Sequence, residues 1–166
     1  MSILDKARAG QNFLEQLANA IPGFKGYRDK ELRRDADKLE REHLASQLEQ
    51  CKKTLDQVSR DITRSGSLDA MNDVETARKK LDKAVARIRY ADRGYAGFFA
   101  TIKVDESALD RVYRYDLGLL QGVEDARSAL AAGATNPTQA VKEMIGRLDT
   151  LDAALAERES ILNGIK

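Results

Sequence analysis

Apolar residues return at every third or fourth position through most of this chain, the spacing that lines one side of an α-helix. Between the breaks in that rhythm, five helices are predicted, at about 3–21, 27–64, 67–92, 105–132 and 137–163. The breaks carry their own chemistry. Asp105 has the make-up of an N-cap, and Asn136–Pro137 that of an N-cap followed by proline at the first helical position. Gly66 followed by Ser67 reads as a C-terminal glycine and a serine cap for the next helix. Pro22 and Gly23 end the first helix. Only 98–104 alternates at all like a strand, and it has no partner, so the chain is all-α.

The second helix is very long and has a divided pattern. Leu44, Leu48, Cys51, Leu55, Val58 and Ile62 advance by fours and threes as a heptad seam. Leu32, Ala36 and Leu39 keep the same rhythm above it, but Leu39 to Leu44 is a step of five. That slip turns the apolar face by about 100°. Folding the third helix back about Ser65–Gly66 brings it only as far up as residue 39, and folding the first helix back about Phe24 lets it cover only the part above. The expected architecture is an antiparallel up-down four-helix bundle over 44–166, with an N-terminal helical hairpin over 1–43 standing beyond it, all within one domain. The overhang is about a dozen residues, roughly 18 Å at the helical rise. The stripe of Ile3, Leu4, Ala7, Leu14 and Leu17 facing Leu32, Ala36 and Leu39 is wider than one contact needs, which predicts a homodimer formed through the hairpin.

That topology places two similar loops at one end: Gly23-Phe24-Lys25-Gly26-Tyr27 and Gly94-Tyr95-Ala96-Gly97-Phe98-Phe99. Six of the nine aromatics cluster in or beside them, with Lys25, Arg28, Arg89, Arg93 and Lys103 adjacent. Aromatics beside arginine are common anchors of protein contacts. Phe24, Lys25, Tyr27 and Arg28 are therefore read as the working tip of an interaction surface. Arg93, Tyr95, Phe98 and Phe99 form its base, where Phe98 and Phe99 could equally plug their own loop. Glycines ahead of a helix N-terminus also suit an anion. The stretch lacks the Gly-Lys-Ser/Thr ending of a P-loop, so loose contact with anionic lipid or nucleic acid is the alternative it leaves open.

Charge narrows the functional classes. The chain has 28 basic and 27 acidic residues and a net charge of +1, so it is no nucleic-acid polycation. No stretch is apolar enough for a transmembrane segment, the first residues lack a signal-peptide core, and the lone Cys51 suggests a cytoplasmic location. Glu40-x-x-His43 has the spacing of di-iron bundle sites, but those need a second such pair and this chain has one His. A metal or enzyme site shared between subunits is the weaker alternative. His43 and Cys51 are about 12 Å apart in rise on one helix and cannot act together within a chain. His43, at the slip, is expected to be half-buried. Asp116 falls where Leu109, Val112, Leu119 and Val123 require an apolar residue; it is a candidate buried acid paired with an Arg or Tyr, and it faces out instead if the stripe drifts through Tyr113 and Leu117. No catalytic constellation and no cofactor motif emerge, and the expectation is a non-catalytic interaction or scaffold protein with a protein partner.

Overall fold

A computed structural model describes residues 13–90, 104–132 and 135–164, and every regular element among them is helical. Residues 13–20 form α1, and a short 3-10 turn at Lys30–Leu32 leads into α2 (Arg33–Ser65). Helices α3 (Leu68–Arg89), α4 (Glu106–Ala131) and α5 (Pro137–Gly164) follow. Asp105 Oδ1 accepts from Ala108 N at 2.7 Å, and Asn136 Oδ1 from Gln139 N at 3.2 Å, so both expected caps form. Gly66 closes α2 in the left-handed region at φ 76°. Ser67 precedes α3 but makes no side-chain cap bond, contrary to the expectation for it.

Interhelical ion pairs give the directions. Glu49–Arg89, Lys52–Asp82 and Asp56–Arg78 run in opposite order along α2 and α3, which are antiparallel. Lys80–Asp149, Lys83–Asp152 and Arg87–Glu159 run in the same order along α3 and α5, which are parallel. Helix α3 therefore packs on α2 and α5, while α4 packs on α5 and α2. The hairpins form at the two short links. The long link, residues 90–105, joins helices that are not close neighbours, a correction to the simple order of successive neighbours.

The lower seam is core throughout: Leu44, Leu48, Cys51, Leu55, Val58 and Ile62 are buried against α3, α4 and α5. The upper half differs from expectation in two respects. First, the N-terminal segment does not stand beyond the bundle. Leu17, Ile21, Phe24 and Tyr27 are buried in a second cluster with Ala108, Leu109 and Val112 of α4 and Leu162 of α5. Second, there is no slip in the buried stripe of α2. Arg33, Asp37 and Glu40 are buried and continue the seam upward from Leu44 in steps of four and three. Of Leu32, Ala36 and Leu39, all expected against α1, Ala36 is buried in the cluster with Leu17, while Leu32 and Leu39 are 51% and 37% exposed. The interior of this end is charged, so a stripe drawn through apolar residues alone leaves the core.

Candidate functional site

Three helices and one loop bring charged groups to the same level of the interior. Asp37 and Glu40 come from α2, Asp116 from α4 and Arg158 from α5, and Tyr27 reaches in from the loop after α1. Their exposures are 3%, 1%, 0%, 4% and 0% in that order. Each sits at a helical core position. Arg158, for instance, continues Leu151 and Leu155 toward Leu162 in steps of four, three and four.

Arg158 is the hub. Its Nε donates to Asp116 Oδ1 and its Nη2 to Asp37 Oδ1, both at 2.7 Å. Arg41 Nε donates to the other Asp37 oxygen at 2.8 Å and, through Nη1, to the carbonyl of Arg89 at 2.9 Å. That second bond caps the end of α3 and fixes its level against α2. Tyr27 Oη donates to Asp116 Oδ2 at 2.6 Å and also lies in hydrogen-bonding contact with Glu40 Oε2. Arg158 is only 3.4 Å from that Glu40 oxygen, a much weaker contact, and Glu40 Oε1 is buried with no hydrogen-bond partner among the described residues.

These bonds count protons. A phenol carries one proton, so Tyr27 Oη cannot donate to two carboxylates at once. One carboxyl must donate to Tyr27. Asp116 has a guanidinium donor on one oxygen and the phenol on the other. Asp37 has a guanidinium on each oxygen. Glu40 has neither arrangement, so the proton resides on Glu40 and the chain runs from Glu40 to Tyr27 Oη to Asp116. Burial, and then the charge of Asp116, hold the Glu40 carboxyl well above the ordinary carboxylate range. Burial opposes the charge on Arg158, but the attraction of Asp116 and the other acidic groups outweighs it and holds its pKa above the ordinary value. Burial, then Asp116 and Glu40, raise the Tyr27 phenol as well. With Glu40 neutral, the hydrogen-bonded charges balance, Arg41 and Arg158 against Asp37 and Asp116.

The backbone around Tyr27 is built to deliver it. Gly26 adopts φ 90°, and a Cβ there would lie 2.5 Å from Tyr113 Oη. That close approach lets Tyr113 Oη accept from Tyr27 N at 2.9 Å, and the two rings stack at 5.6 Å. Phe24 meets Tyr27 edge-on at 5.4 Å, and Arg33 Nε donates to the Tyr27 carbonyl at 2.7 Å.

Of the residues expected at an exposed tip, Phe24 and Tyr27 are therefore core, because α4 and α5 extend up past the end of α3 to cover them. Lys25 and Arg28 are exposed, and Arg28 pairs with Glu106 at 3.0 Å. Arg93, Tyr95, Phe98 and Phe99 lie outside the described residues. Asp116 is fully buried and bonds to both an Arg and a Tyr. His43 is half-buried beside a surface hollow with Ala20, Leu117 and Arg127, and burial and then Arg127 lower its pKa. It does not join Glu40, and no cluster of metal-binding side chains occurs among the described residues. No helix among them is long and apolar enough to cross a membrane. Family models, curated proteins and solved structures were each compared with the chain, and none matches it.

Proposed function

We propose that this chain is a non-catalytic interaction module, in which α2–α5 act as a four-helix bundle scaffold and the N-terminal end of α2 presents the contact surface. The observation that supports this reading is the open groove beside Leu32 and Leu39. Gly23, Lys25, Gly26 and Arg28 form one wall, and Asp29, Leu32, Asp35, Ala36 and Leu39 the other, around about 390 Å³. Two leucines exposed one heptad apart on a charged helix are what a partner helix would cover. The cluster of Asp37, Glu40, Asp116 and Arg158, by contrast, is buried among the described helices.

The mixed signs of the groove favour a protein partner over an anionic surface. Lys25 and Arg28 are offset by Asp29 and Asp35, and Arg28 is already paired with Glu106. A groove bearing both signs is also complementary to itself, so the homodimer is the simplest form of this proposal. Light scattering of the purified protein at micromolar concentration should give the mass of a dimer, and Leu32→Glu with Leu39→Glu should give a folded monomer. A wild-type monomer that also captures no protein through these leucines overturns the proposal. Flotation with anionic vesicles that survives the double change would move the function to the lipid reading.

A further inference from the structure

Tyr27, one of the residues that pack the N-terminal segment on α4 and α5, makes bonds that depend on one proton. We infer that the proton shared between Glu40 and Tyr27 is a latch: the segment 13–29 lies closed on the helices while Glu40 keeps that proton, and detaches together with its release.

Every element packed against Glu40 presents a charged or titratable group to it. From the loop comes Tyr27, whose own proton is committed to Asp116. On α2, Arg41 is turned to Asp37 and to the end of α3. From α4 comes Asp116, a like charge. On α5, Arg158 gives its short bonds to Asp37 and Asp116, and Glu159 is paired with Arg87 of α3. Among the described residues the cation nearest to Glu40 is Arg158, whose Nη2 lies 3.4 Å from Oε2, longer than its 2.7 Å bonds to the two aspartates. A void of about 10 Å³, lined by Glu40, Arg87, Arg158 and Glu159 among others, adjoins it. That is room for one water at most, far from the hydration a carboxylate has in solvent. An ionised Glu40 in the closed state would face the lone pairs of Tyr27 and the charge of Asp116. Withdrawing Tyr27 removes the first and opens the site to water. The pKa direction for Glu40 agrees with this geometry.

Opening therefore releases a proton. Once the pH exceeds the ordinary glutamate value of about 4.3, the equilibrium constant for opening rises tenfold per pH unit, until the pH reaches the closed-state pKa. The latch acts on the segment that forms one wall of the groove, since Gly23, Lys25, Gly26 and Arg28 belong to it. The inference does not depend on that groove binding anything.

Amide hydrogen exchange tests it. Rates for backbone amides of 13–29 are followed from about pH 5.5 to 8 under conditions where reclosing outruns exchange, and the ordinary base-catalysed rise is divided out. In the wild type a further tenfold rise per pH unit should remain. In Glu40→Gln it should vanish, because the amide is neutral at every pH. In Asp116→Asn, where Tyr27 is free to donate to an ionised Glu40 but the carboxyl stays buried, the rise should level off at a lower pH than in the wild type. Either variant alone suffices if the other does not fold. No residual slope in the wild type overturns the latch, whatever the variants do. A slope that persists unchanged over the whole pH range in whichever variant folds overturns it too, by placing the proton elsewhere.

Discussion

Replacing Arg158 with methionine tests the ion cluster most directly. The change keeps the length and much of the apolar stem but removes the guanidinium that gives one 2.7 Å bond to Asp116 and another to Asp37. Asp37 retains Arg41 and Asp116 retains Tyr27, so neither acid is abandoned entirely. Both remain out of solvent with their charge no longer balanced. Breaking a buried pair by removing one partner costs about 3–5 kcal/mol, and that is the loss expected for Arg158→Met. At roughly 2–4 °C per kcal/mol for a chain of this length, the melting temperature should fall by about 6–20 °C. The sharper test is non-additivity. Adding Asp116→Leu to Arg158→Met removes the stranded acid and fills the space with carbon. The pair should be more stable than Arg158→Met alone, a coupling of about 0.5–3 kcal/mol. Urea unfolding monitored by circular dichroism measures the wild type, both single variants and the pair. A loss below about 1 kcal/mol for Arg158→Met, or strict additivity in the pair, would show that the charges are hydrated and the cluster is not the interior it is argued to be.

Three further outcomes follow from the same packing. Phe24→Ala with Tyr27→Ala should lower the melting temperature markedly, since both rings are interior and an aromatic-to-alanine change costs about 3–5 kcal/mol each; an unchanged melting temperature would return these residues to the surface. Gly26→Ala should destabilise by more than about 1–2 kcal/mol, the strain of the left-handed conformation alone, because the methyl also meets the Tyr113 hydroxyl; chemical denaturation would expose a neutral effect. Burial pushes the Cys51 thiol up to about 11, so alkylation at pH 8 should be far slower in the folded protein than in urea. The raised value also means that Cys51 favours folding fully below the ordinary thiol value of about 8.5 and loses that contribution as the pH rises toward 11, so equal alkylation rates in the two states would contradict its burial.

The all-helical character, both capped helix starts and the lower seam were legible because each follows from local rules. Asp116 was legible for a related reason: one acid between Leu109, Val112, Leu119 and Val123 interrupts an obvious stripe. Asp37 and Glu40 were hidden by their neighbours. Ala36, which is core beside Leu17, and Leu39 stand one residue before each of them and keep the rhythm with Leu32, so a reading that follows carbon runs from the buried Ala36 onto the exposed Leu32 and Leu39. The step of five from Leu39 to Leu44 was the available signal. It marked where the true stripe stops being apolar, and the steps from Arg33 through Asp37 and Glu40 to Leu44 would have resolved it. Arg158 was available in the same way, as a charged residue in register with Leu151, Leu155 and Leu162. The position of Tyr27 was not legible, because hairpin arithmetic fixes α3 against α2 but leaves α4 and α5 free to slide. Asp116 lies level with Glu40, so the first ten residues of α4 rise about 15 Å above that point. That cover nearly matches the overhang the hairpin was expected to have, and it turns an outlying tip into a core.

The cluster also explains how an interior made largely of leucine, valine and alanine settles in one register. Apolar ridges tolerate a shift of one turn with modest loss, whereas directional bonds do not. A shift of one turn of α5 against α2 and α4 carries Arg158 about 5.4 Å away, and both of its 2.7 Å bonds are lost together. Arg41 adds α3 to the same set by bonding its last carbonyls while it holds Asp37. Tyr27 adds the N-terminal segment, because its hydroxyl reaches Asp116 only when Gly26 lies against Tyr113. Four helices and one loop thus meet at a single set of bonds whose energy is modest in the correct register and costly in any other. A shifted register would leave these charges buried and unpaired, so the charges that interrupt the apolar pattern favour the observed register over its neighbours.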